Sequence, residues 1–194
     1  MMRKGAAAVL LLAAGCGAPA PPPAPPAPPV TLSTQNPGAN VAPIVTFFRR
    51  ACLENWSDNR AFAAVVASSG WPLRQVHVQN EEGPSLWRFD QGELTQWRLR
   101  QTAMCFLTLQ STVAPTPAAL RAALRPFAQP PEFADISDRE TESRWARPAG
   151  AGYRMVLTIA GVPASEGRSY GAGRQAVTIG FTRERIPVPG EDRE

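Results

Sequence analysis

Eight of the thirteen residues from Gly17 to Pro29 are proline and the rest are alanine or glycine, which limits where a fold can begin. Proline lacks a backbone N–H and holds φ nearly fixed, so such a tract forms neither helix nor sheet. It predicts an extended polyproline II rod, at ~3.1 Å per residue about 40 Å long. Elsewhere a proline-rich run serves as a ligand for aromatic grooves or is simply disordered. Val30 to Asn40 continues the linker, with Asn36-Pro37-Gly38 as turn chemistry. The globular part is then expected at 41–186, followed by a fraying tail at 187–194.

What precedes the tract gives it a purpose. Arg3 and Lys4 are followed by an uncharged apolar run from Ala6 to Ala14. A bilayer span needs ~20 apolar residues, so the run has the length of a secretory signal instead. Ala13-Ala14-Gly15 then leads into Cys16. This resembles the lipobox of bacterial lipoproteins, although the family favours Leu where Ala13 stands. The resemblance implies a signal peptide over 1–15, a diacylated Cys16, and 16–40 as acylated cysteine plus spacer. Gly17, in place of Asp, implies export to the outer membrane of a two-membrane bacterium, facing the periplasm. The competing reading is ordinary cleavage after Ala18-Pro19-Ala20, which Pro21 disfavours. Two or more acyl chains give stable attachment where one is marginal.

Composition removes whole classes of chemistry. Lys4 is the only lysine, so a chain cut before Cys16 has none, excluding Schiff bases, P-loop lysines and Ser-Lys dyads. His77 is the only histidine, which excludes multi-histidine metal sites; no cofactor or metal is expected. Without Arg3 and Lys4 the basic residues number 18 against 16 acidic, and the arginines are dispersed. Nucleic acid is therefore not an expected partner. With Cys16 assigned to lipid, Cys52 and Cys105 become an even pair in an oxidising compartment. They are expected to form a structural disulfide contributing about 4 kcal/mol on the chain-entropy account, the alternative being two separate buried thiols.

Periodicity outlines an α+β domain. Ile44, Phe47, Phe48, Ala51 and Cys52 form a helical stripe after Pro43. A second helix is capped by Ser57 or Asp58, runs through Phe62, Val65 and Val66, and stops at Gly70 and Pro72. A third starts at Thr116-Pro117, with Leu120, Ala123, Leu124 and Phe127 inward, and Pro126 ends its regular part. Strands are expected around Val76–Val78, across 85–109 as hairpins, near Glu142 to Arg147, and at Tyr153–Ala160 and Gln175–Arg183. The fold class is α+β: an antiparallel sheet of about five to six strands with two or three helices packed on one face. No internal repeat is visible.

Side-chain character suggests the hairpin registers. A three-residue loop Asp90-Gln91-Gly92, with Gly92 left-handed, puts Trp87, Phe89, Trp97 and Leu99 on one face. A similar loop near Arg100 to Thr102 sets Trp97 opposite Cys105 and adds Leu107 and Leu109. A Cys52–Cys105 bond would then lay the first helix across that face. Arg88, Arg98 and Arg100 fall on the other side, a possible binding surface for anionic polymer, lipid headgroups or an acidic protein. A solvated strand face is the plainer reading of those arginines. Trp145, in a polar stretch, is either a recognition aromatic or a pin holding a loop to the core.

Few residues suggest catalysis. His77 has no partner cluster in sequence and is expected at a strand rim. Asp135, Asp138, Glu140 and Glu142 lack the alternation of a calcium loop and suit a solvated loop. Glu81 and Glu82 would need a distant carboxylate at a set separation for glycosidic chemistry. The glycine-rich segment from Gly161 to Arg174 lies between strands without lysine, which suits a hairpin loop more than a phosphate loop. From Phe47 to Leu109 the Cys52 helix, strand pair and Cys105 arrangement looks like small lipoproteins and secreted proteins of alphaproteobacteria, a resemblance that brings no known activity with it. The leading expectation is a non-enzymatic envelope lipoprotein, a binding or assembly accessory for another envelope component. The alternative is a cell-wall hydrolase or hydrolase inhibitor.

Overall fold

A computed structural model describes residues 27–56, 58–78, 84–99, 102–128, 134–137, 142–150, 152–162 and 176–186. Helix α1 (Val41–Phe48) runs into a wide turn of π type, Arg49–Leu53, and α2 spans Asn59–Ser68. Strands β1 (Arg74–His77), β2 (Ser85–Phe89), β3 (Gly92–Leu99) and β4 (Thr102–Gln110) follow. Next come α3 (Pro117–Leu124), β5 (Ala134–Asp135), β6 (Glu142–Pro148), β7 (Tyr153–Val162) and β8 (Ala176–Arg185). All eight strands form one antiparallel sheet in the order β1-β2-β3-β4-β8-β7-β6-β5. Five to six strands were expected. The sheet is larger than that by two or three strands, one of them the two-residue β5, which carries too little pattern to be read.

The local signals act as anticipated. The Asp58 carboxylate accepts the N–H groups of Arg60 and Ala61, closing the first turn of α2. Thr116 does the same for Ala119, and Pro117 supplies a first helical residue that needs no donor. Gly70 ends α2 at φ +73°, and its missing side chain admits the carbonyl of Pro28. The chain joins the domain at this point: Val30 donates to the Gly70 carbonyl at 2.8 Å, and Leu32 is buried. Asn40, also buried, receives the Ser33 N–H and donates to the carbonyls of Ser33 and Val113.

One sheet face carries the core. Trp87, Leu94, Leu107, Ile179, Ile159 and Ser143 form one cross-strand row on it; Ser85, Gln96, Cys105, Phe181, Leu157 and Trp145 form the next. The helices engage this face. Cys52 bonds Cys105, Phe62 packs on Trp87, Trp56 meets Phe181 edge-on, and Pro117 of α3 approaches Gly161. Fully burying each such large apolar side chain contributes about 1.5–3 kcal/mol.

The anticipated register of β3 is corrected. Asp90 and Gln91 alone make the turn, so Phe89 pairs Gly92 and Trp87 pairs Leu94. Gly92 is not left-handed. It is glycine because a side chain there would strike the Thr108 carbonyl and the Phe89 ring. Leu99 pairs Thr102, so Gln96 rather than Trp97 lies opposite Cys105. Each hairpin shifts by an odd number of residues, and the two shifts cancel for β2 and β4. Trp87 and Phe89 therefore share a face with Cys105, Leu107 and Leu109 as expected, while β3 alone is turned over. The physical reason is a satisfied polar side chain on the core face. Gln96 is 4 % exposed and donates to Asn59 Oδ1 at 2.8 Å, which offsets its desolvation.

A second relation follows from strand order. Helix plus four-stranded meander occurs twice, and the last strands of the two meanders, β4 and β8, pair at the centre. A twofold through the Phe106–Gly180 pair carries the first core row onto the second, Trp87 to Trp145 and Ser143 to Ser85 among them. The Phe106 ring lies across Gly180, where a side chain would come within 2.5 Å of it.

Candidate functional site

The disulfide stands: Cys52 and Cys105, both buried, are bonded with Cα atoms 5.5 Å apart. Cys16 and Arg100 lie outside the described residues, as do Glu81, Glu82, Asp138, Glu140, most of the glycine-rich loop and the tail.

Arg88 and Arg98 do not share one sheet face. Arg88 is exposed on the face away from the helices, 3.7 Å from Glu93. Arg98, turned over with β3, is on the helix side, where its charge helps hold the Asp58 carboxyl below its ordinary range. The main causes of that lowering are the Ala61 and Arg60 N–H groups that Asp58 accepts. Trp145 is likewise corrected as a recognition residue. It is 7 % exposed and sits in the core row, pinning β6 to the sheet.

The candidate acids and base are dispersed. The Nδ1–H of His77 donates to the Pro84 carbonyl at 2.6 Å, a link across the start of the β1–β2 hairpin. Asp135 accepts the Ser137 N–H, and this contact holds its carboxyl low. Glu142 lies 3.7 Å from Arg144, which also reaches Glu184, itself bound by Arg154 at 2.6 Å. These four form an ion network on the helix-free face. Among the described residues no three His, Cys, Asp or Glu side chains gather to hold a metal, and no helix is long and apolar enough to cross a membrane.

Among the described residues, a groove and an uncovered sheet face stand out. The first is a groove of about 260 Å³ between α1, α2 and the incoming chain, lined by Val30, Pro43, Phe47, Val65 and Trp71. Phe47 and Trp71 stack there at 4.7 Å. The second is the helix-free face, which no described helix covers. Across it run Leu86, Thr95, Phe106, Gly180, Thr158 and Arg144. Trp97 stands beside that row, its indole Nε1 buried and without an acceptor among the described residues. The Phe47 and Trp71 rings of the groove are themselves buried, whereas the helix-free face carries half-buried Phe106, Thr95, Thr158 and Arg144.

Sequence reasoning missed a cross-strand arginine row on the helix side: Arg98 in β3, Arg183 in β8 and Arg147 in β6. Each sits at alternating strand positions in the sequence. The row exists only because β4 pairs β8 across some seventy residues of chain, for instance Cys105 with Phe181. Compared with protein-family models, curated proteins and solved structures, the chain matches none.

Proposed function

We propose that this chain is a membrane-anchored envelope lipoprotein of non-enzymatic type, a binding or assembly accessory for another envelope component. Cys16 carries the acyl chains, the proline tract holds the domain off the outer membrane, and the domain works in the periplasm. The observation that carries this reading is where the tether meets the fold. The chain arrives at one end of the sheet, at Gly70 beside Trp71, and leaves the helix-free face and the far end of the sheet unobstructed by the described part of the tether. An acylated cysteine, a stiff spacer and a domain held by one end suit a protein that presents a surface.

Mass measurement of the mature protein tests the anchor. An N-terminal residue at Cys16 bearing acyl chains is expected, and a chain beginning at Pro21 without lipid would overturn it. Crosslinking in intact envelopes followed by purification tests the accessory role. A defined crosslinked species is expected, whereas an abundant protein with no crosslinked partner sinks it.

A further inference from the structure

The twofold relation fails at the ends of the sheet. One end row on the helix side is Phe89, Gly92, Leu109, Val177 and Gly161. It is apolar and covered: Trp71 meets Phe89 edge-on at 5.5 Å, and Pro117 approaches Gly161. The twofold carries these positions to Arg147, Met155, Arg183, Ala103 and Arg98. Three positions that are apolar or bare at one end are arginine at the other.

The second row lies just beyond the helix layer, which reaches Trp56 on Phe181 and Asp58 near Arg98. Met155 and Ala103, buried, separate the arginines, so a guanidinium stands on every second strand. Neighbouring arginines are therefore about 10 Å apart, and the row spans roughly 20 Å. The middle one is held in place: Arg183 Cζ lies 4.7 Å over the Tyr153 ring, and its Nε is buried with no acceptor among the described residues. The ring contact fixes where the Arg183 guanidinium sits, and a planar guanidinium pairs well with carboxylates.

We infer that this row docks the carboxylate-bearing polymer of the cell wall, peptidoglycan, an inference that rests on the envelope reading above. Repeated cations at about 10 Å match a ligand presenting several carboxylates better than one small anion. The row is also three side-chain rows from the end where the tether joins, roughly 20 Å along the strands. A tethered domain thus turns this end away from its own membrane and towards the wall.

The test is co-sedimentation of the detergent-extracted mature protein with purified sacculi. Binding is expected at low salt and should fall steeply in 0.5 M salt. Replacing Arg98, Arg147 and Arg183 together by Gln should weaken it by about tenfold or more, and Arg183→Lys should weaken it partly. Arg88→Gln, on the other face, should leave it unchanged. Blocking the sacculus carboxylates by amidation should abolish binding. A cooperative thermal unfolding transition like that of the wild type, with the disulfide retained, shows that the triple variant is folded. Unchanged binding by that folded variant, or equal binding of the chain produced without its acyl groups to phosphatidylglycerol vesicles, would overturn the inference. The assay does not depend on lipid. Acylated protein that ignores sacculi defeats this inference alone, and sacculus binding by unacylated protein defeats the anchor alone.

Discussion

The two meanders share a topology and differ in how they are held. In the first, β4 is bonded through Cys105 to the turn after α1, and Gln96 is tied to α2 through Asn59. At the corresponding positions the second has Ile179 and Ile159, both buried and apolar. At these positions the first half is fixed by a covalent bond and a specific hydrogen bond, the second by packed side chains. Symmetry of backbone therefore does not impose symmetry of chemistry. The shared frame leaves each position free to become a staple in one half and plain core in the other.

The largest test of that contrast is the pair Trp87→Ala and Trp145→Ala. Equivalent core positions predict similar losses of about 3–5 kcal/mol each by chemical denaturation. A loss at Trp145 far below that at Trp87 would break the equivalence. Next is the Cys52→Ser, Cys105→Ser double variant, expected to lose about 4 kcal/mol on the chain-entropy account. Amide exchange should accelerate in α1 and β1–β4 more than in β6–β8, and uniform acceleration would show that the staple serves both halves. Gly180→Ala sharpens the comparison at the axis. The Phe106 ring must move, at about 1–3 kcal/mol, and adding Phe106→Ala should recover part of the loss. The smallest effect is expected for Asp58→Ala, a modest fall in Tm from the lost cap. The folded Asp58 pKa lies below its unfolded value, so its contribution is present above the ordinary carboxylate range and lost as pH falls through the folded pKa. The wild type and Asp58→Ala melting curves should therefore converge in acid.

Much of this fold was legible from local chemistry. Asp58, Gly70, Thr116 and Pro117 each mark a helix boundary because capping and backbone freedom act within a few residues. The disulfide was legible once Cys16 was set aside. The face of β3 was not, because large side chains suggested Trp97 for the core while a hydrogen bond donated by Gln96 to Asn59 made room for Gln96 there. Nor was the twofold: Ser85 with Trp87 and Ser143 with Trp145 are its trace in the core rows, two residues in each half. The arginine row needed the β4–β8 pairing, a contact whose partners say nothing of each other in sequence.

The attachment of the tether carries a mechanical consequence. Tension applied through the proline tract reaches the domain at Val30, passes to Gly70 through one hydrogen bond, and is then shared by buried Leu32 and by Asn40 bound to Val113. Only after that does it meet α1, which continues into the turn that the disulfide fastens to β4. A pull on the chain before Val30 is thus arrested by side chains and then by a covalent stop before it can peel the first strand.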